Sequence, residues 1–166
     1  MSTLSFVAIM VLVVAPFAVW FVIRARPNPP GNFVDTTSAE WQQAVEKAQA
    51  SIPTLRELFG SGQYHVGVKY PLLNSHGERE HVWGELLELS EDSLLATLDT
   101  PLRRGRPASA PPFRTQLTEV ADWQVQLPDG KIRGGFTTRL DIRLARQNGQ
   151  RIPPHILVME GNFVDA

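Results

Sequence analysis

The sequence predicts an α+β domain carried behind an N-terminal transmembrane helix, with one or two helices packed on a curved antiparallel sheet of about five strands. Three observations predict it. No Asp, Glu, Lys or Arg occurs before Arg24. From Trp41 the apolar residues recur at helical spacing, and from Tyr64 they recur at every second position. Short polar links then separate successive strand-like runs, as in a meander.

The run Leu4 to Ile23 (LSFVAIMVLVVAPFAVWFVI) is apolar apart from Ser5 and is interrupted only by Pro16. As a helix it would span about 30 Å, the thickness of a bilayer's hydrocarbon core. Pro16 would kink it, which membrane helices tolerate, and Trp20 and Phe21 suit the interface. Only Ser2 and Thr3 precede the run, and no small-x-small cleavage site follows, so it reads as an uncleaved anchor at residues 1–23. Arg24 and Arg26 follow at once, which places the soluble part in the cytoplasm; the opposite orientation would face it to the cell envelope. Residues 24–36, with the stretch RPNPPGN, form a semi-rigid tether.

The soluble domain is expected over residues 37–145, long enough to bury a core. Thr37-Ser-Ala-Glu40 fits a capping box, and Trp41, Ala44, Val45 and Ala48 share one helical face. Ser51 and Pro53 suit a second helix carrying Leu55, Leu58 and Phe59, ended by Gly60 and Gly62. Tyr64 to Tyr70 alternates as a strand that Pro71 stops; His81–Leu89 and Ser93–Leu98 follow as strands. A basic, proline-rich loop leads to a short strand at Phe113–Leu117. Asp122–Leu127 and Lys131–Arg133 flank the turn Pro128-Asp129-Gly130. Residues 137–145 fit helix or strand equally, and the tail 146–166 packs as an extra strand or stays loose.

Composition excludes several functions. The 166 residues are 43% hydrophobic and 20% charged, unlike a disordered chain. Cysteine is absent, so there is no disulfide, zinc-thiolate or cysteine nucleophile. A net charge of -1 argues against nucleic-acid coating. Charge is uneven: residues 24–100 carry 6 basic and 11 acidic side chains, and residues 101–166 carry 10 and 6.

Candidate chemistry is sparse. His65 and His81 could approach across paired strands near Glu80 or Glu85, but no His-x-x-x-His pair exists, and neither a metal nor a cofactor is expected. A nucleophile elbow and Walker or dinucleotide fingerprints are absent. Arg133-Gly134-Gly135-Phe136 could present backbone donors to a phosphate; the simpler reading is a bend that turns Phe136 into the core. Asp122 could cap the turn or bond Arg139. Trp83 and Trp123 read as core, or as a groove with one ring exposed to a peptide. Arg103, Arg104 and Arg106 form a solvated loop or, with Arg24 and Arg26, a lipid-facing set.

The strand YHVGVKY, then EHVWGE, TEVADW and DGKIRGGFTTRL, together resemble the bacterial YegJ-like domain of unknown function 2314. The matching positions are Val68 and Lys69; Glu80, His81, Val82 and Trp83; Asp122 and Trp123; and Gly134, Gly135, Phe136, Thr137 and Arg139. Gly84 departs from the pattern, at a position where a larger residue is expected. The resemblance implies a small α+β domain and no reaction. The functional expectation is a bilayer-anchored module binding a protein or peptide. The alternatives are an enzyme with a site near His81, Glu85 and Asp122, and a structural or immunity-type inhibitor.

Overall fold

The structure is a computed structural model and describes residues 36–165; the apolar span Leu4 to Ile23 lies outside them. Among the described residues no helix is long and apolar enough to cross a membrane.

The chain runs α1 (Ala39–Ala50), α2 (Ile52–Gly60), β1 (Val66–Leu73), β2 (Arg79–Leu89), β3 (Ser93–Ala96), β4 (Phe113–Gln116), a 3-10 turn (Leu117–Glu119), β5 (Asp122–Gln126), β6 (Ile132–Gly134), α3 (Phe136–Gln147), α4 (Pro154–Glu160) and β7 (Phe163–Val164). The sheet order is β4-β3-β2-β1-β5-β6-β7. The α+β class stands, but the sheet has seven strands rather than about five. It is also mixed, since β7 runs parallel to β6. The strand not anticipated along the chain is the two-residue β7, in the part assigned to the tail, and four helices replace the one or two expected.

Local chemistry accounts for the ends. Ser38, not Thr37, caps α1, accepting the Trp41 amide on its hydroxyl at 3.2 Å. Residues 137–145 resolve as helix because Gly135, at φ +70°, turns the chain out of β6 into α3.

Pro71 does not stop β1 but lies inside it. Strand β5 pairs only with Val66–Lys69, and the Lys69 carbonyl accepts Ala121 N–H on that side. Pro71, two residues on, presents its missing N–H to the same side, where no strand needs it.

The sheet buries both faces. One face places Val66, Val68, Tyr70, Leu86 and Trp123 against Ala48 of α1 and Leu55 of α2. The other lies under a second cluster of Trp41, Ala44, Ala121 and Leu140, from α1, α3 and the approach to β5. Helix α1 therefore contributes to both cores.

Candidate functional site

Strand register assembles most of the candidate residues on the second face. Lys69 lies opposite Trp83 on one side and Asp122 on the other. His81 is paired with Pro71, so it shares that face with Trp83 and Lys69. Helix α3 lowers Thr137 and Asp141, one turn apart, onto the same spot, and α1 adds Trp41.

Lys69 is buried, with 8% of its surface exposed. Its Nζ donates to Thr137 Oγ1 at 3.2 Å and lies 3.7 Å from Asp141 Oδ2. It also sits 4.7 Å from the centre of the Trp41 ring and 5.8 Å from that of Trp83. Burial lowers its pKa below the ordinary lysine value; Asp141 and Asp122 act in the opposite sense.

Asp122 is fully buried and saturated with donors. Oδ1 accepts the Trp123 and Phe136 amides at 2.8 and 3.1 Å. Oδ2 accepts the Thr137 amide and hydroxyl, both at 2.7 Å. A carboxylate from a strand thus caps α3, whose own N-cap, Gly135, has no side chain to offer. Burial pushes the Asp122 carboxyl above its usual range, against the pull of Thr137 and Lys69. This arrangement overturns the phosphate reading of residues 133–136. The amides that would cradle an anion already bind Asp122, and Gly135 N–H donates to the Trp123 carbonyl at 2.8 Å. Asp122 caps the helix rather than its own turn, and it does not bond Arg139. The Arg139 guanidinium instead reaches the Gly134 and Val164 carbonyls at 2.9 and 2.6 Å.

The remaining candidates disperse. Trp123 faces the first core, where Nε1 donates to Ser51 Oγ at 2.9 Å. Glu85 pairs with His65 at 2.7 Å. It stands four residues from His81, about 13 Å along one strand. His81 and Glu85 therefore lie well apart along β2, with Glu85 engaged by His65 and Asp122 by the start of α3. The basic loop folds onto acidic side chains: Arg103 and Arg104 amides donate to Glu80 at 2.8 and 3.3 Å, and Arg104 pairs with Glu78 at 3.5 Å. Among the described residues no group of three His, Cys, Asp or Glu could hold a metal. Trp41 and Asp141 are the members of the cluster that sequence reasoning left out. Trp41 looked like ordinary helix core, and Asp141 becomes visible only once residues 137–145 are known to be helical.

The His81 ring packs at a tilt of 59° against Trp41, 5.4 Å between ring centres. Burial, with Lys69 and Arg79 nearby, lowers its pKa from 6.5 to about 4. The unfolded chain therefore takes up a proton that the fold rejects. The neutral ring's contribution is complete above about pH 6.5 and is lost as pH falls towards 4. Allowing for the solvent that still reaches the ring, we expect about 1–2 kcal/mol of acid sensitivity from this group. Urea midpoints at neutral pH and at the acid end of that window should fall less for His81→Phe than for the parent. Equal losses would exclude His81 as a source.

The open feature lies elsewhere. Beyond Lys69, β1 has lost β5 as a neighbour, and β4 is an edge strand. A slot of about 510 Å³ lies between Tyr70–Leu73 of β1 and Phe113–Thr115 of β4. Leu73, 52% exposed, stands at its rim. Arg79 and Glu119, both lining the slot, form an ion pair.

Comparison with protein-family models, curated proteins and solved structures gives no match. The function is therefore argued from these features alone.

Proposed function

We propose that the chain is a membrane-anchored module that binds an extended segment of a protein partner in the slot between β1 and β4. The observation that supports this reading is the free edge of β4 beside an apolar floor of Tyr70, Leu72 and Phe113; β1 contributes side chains more than main-chain pairing, because Pro71 has no N–H and the Leu73 carbonyl already accepts Ala108 N–H. Strand edges offer main-chain donors and acceptors to an incoming extended chain, and alternate pockets select its side chains. The Lys69–Asp122 cluster is the reason for preferring binding to catalysis. Lys69 and Asp122 are buried and turned to Thr137, backbone amides and aromatic rings, and neither of the two best-formed grooves among the described residues is lined by them. The anchor at residues 4–23 and the cytoplasmic side belong to the same proposal, as does membership of the YegJ-like family.

The test is photo-crosslinking in cells that make the full chain. A benzophenone amino acid at Leu73 should give one dominant adduct whose cross-linked peptide maps to a single segment of one protein. The same probe at Leu87, exposed on β2 away from the slot, should not. Equal adducts at both positions, or none at Leu73, would overturn the reading.

A further inference from the structure

The slot between β1 and β4 is lined by three ionisable side chains: Arg79 at the start of β2, Arg114 of β4, and Glu119 at the end of the 3-10 turn that follows β4. Glu119 is the acid among them, and it is held from several sides. Arg79 Nη2 pairs with its Oε1, and the Thr115 hydroxyl donates to its Oε2 at 3.1 Å. Arg79 foremost, then Thr115 and the Gln116 amide, draw its carboxyl below the ordinary glutamate pKa, against a desolvation that raises it. The Gln116 amide fixes where this happens. Leu117 N–H donates inward to Asp92 O at 2.8 Å, and β4 pairs with β3 in unbroken antiparallel register, so Arg114 and Gln116 turn their main-chain groups to the open edge. Glu119 therefore occupies donors on the edge and wall of the slot that an incoming chain would meet. Its hold is open to exchange, because the Arg79 and Glu119 side chains are 57% and 38% exposed. Arg114 is held more weakly still, at 3.4 Å from Glu88 and 3.3 Å from Ser93 Oγ.

We propose that the segment bound in the slot carries an acidic side chain, Asp or Glu, which takes the place of Glu119 on Arg79 and Thr115, and that Glu119 is the chain's own occupant of that site. The inference rests on the slot being the binding site. Charge favours an acidic segment: two guanidiniums line the slot against one carboxylate, so an acid is attracted and a base repelled. Geometry favours it too. Donors from β2 and β4 already converge on one carboxylate, and another of the same shape can use them without rearrangement. The pair engages one guanidinium nitrogen of Arg79, so the fork keeps further donors for a second carboxylate oxygen. Attachment to the chain gives Glu119 an advantage over any free anion. A segment paired to the β4 edge and seated on Tyr70, Leu72 and Phe113 removes that advantage, because it holds its own carboxylate at a comparable effective concentration. Glu119 thus sets a threshold: an acidic group alone does not displace it, and an acidic group on a chain that fits the edge does.

The probe is a phage-displayed library of short random peptides, selected on the full chain held in lipid nanodiscs. Selected peptides are then synthesised with amidated C-termini and titrated against the parent, Arg79→Gln and Glu119→Gln. Both positions are exposed, and the melting temperature of each variant checks its fold. Selection on the parent should enrich Asp or Glu at one peptide position. Replacing that residue by Asn or Gln should weaken binding to the parent about fivefold, the scale of one exposed charge pair, and should leave binding to Arg79→Gln unchanged. The acidic peptides should bind Glu119→Gln about threefold or more tighter than the parent. That gain runs opposite to the loss at Arg79→Gln, and misfolding cannot imitate it. Peptides without acidic enrichment, or with equal affinity for the parent and Glu119→Gln, overturn the proposal. A benzophenone at Leu73, which lines the slot, separates the two ways of failing. Peptides that cross-link there without acidic preference overturn this inference and leave the slot as the binding site. Peptides that bind without cross-linking there, or a selection that yields none, overturn both.

Discussion

Asp122→Ala should cost about 4 kcal/mol of stability, lowering the melting temperature by on the order of 10 °C or more. The removed carboxylate satisfies three backbone amides and one hydroxyl. Two of those amides open α3, and the bend at Gly134 and Gly135 leaves no side chain there to replace the acceptor. The loss therefore reaches three elements at once: β5, the bend and the first turn of α3. It also leaves the buried Lys69 with one fewer counter-charge. Asp122→Asn is the sharper variant, because it keeps the shape. Each oxygen of Asp122 now accepts two donors, so an amide nitrogen in either place would face donors instead. We expect Asn to cost at least half as much as Ala. Denaturant unfolding of both variants checks this. If either lies within about 1 kcal/mol of the parent, the donors have other partners and the capping account fails.

The second large effect is expected at Gly84. A methyl group there would overlap the Thr97 carbonyl carbon and oxygen and come within 3.2 Å of the Tyr70 ring. Thr97 is held from several sides. Its carbonyl accepts the Tyr70 hydroxyl at 2.6 Å, its amide donates to Glu85 O at 2.9 Å, and its hydroxyl accepts the Glu85 amide at 2.8 Å. The obstacle is backbone, so no rotamer change relieves it. Gly84→Ala should cost about 3 kcal/mol by prising the Thr97–Asp99 segment from β2. Gly60→Ala is the control: a methyl at the end of α2 meets nothing within 4 Å, and stability should change by less than about 1 kcal/mol. Equal responses would mean that the β2–Thr97 junction yields easily. Tyr70 adds a spectroscopic readout. Burial raises its hydroxyl well above the ordinary tyrosine pKa, and separation from Thr97 would return its titration towards normal.

The candidate site was legible residue by residue but not as an arrangement. The steps Val68-Lys69, His81-Val82-Trp83, Asp122-Trp123 and Gly134 to Arg139 did include Lys69, His81, Trp83, Asp122 and Thr137 of the cluster, but neither Trp41 nor Asp141. Alternation along β1 and β2 also placed Lys69, His81 and Trp83 on one side of the sheet. What alternation cannot say is whether that side is wet. A lysine on the face opposite Val66 and Val68 reads as solvent-exposed until Trp41 and α3 close over it. The phosphate reading failed for a related reason. Two glycines before a helix do expose amides, but the competing acceptor, Asp122, comes from another strand and is adjacent only after β5 and β6 pair.

By itself the sequence determined the period of each element, and so the α+β class, α1, α2, the β1–β3 meander and the β5–β6 turn. These depend on spacing, caps and turn residues within a few positions of one another. It also set the expectation of an anchored chain, through an unbroken apolar run. Tertiary structure alone decided the rest. It tolerated Pro71 inside β1 because β5 ends at Lys69, and it drew Phe163–Val164 into the sheet beside β6. It made Asp122 the cap of a helix that begins fourteen residues later, and it left a slot where β1 and β4 do not meet. Each of these outcomes depends on which strand edge lies beside which. Strand adjacency is a long-range property, set by the packing of both cores together, and no local window of the sequence contains it.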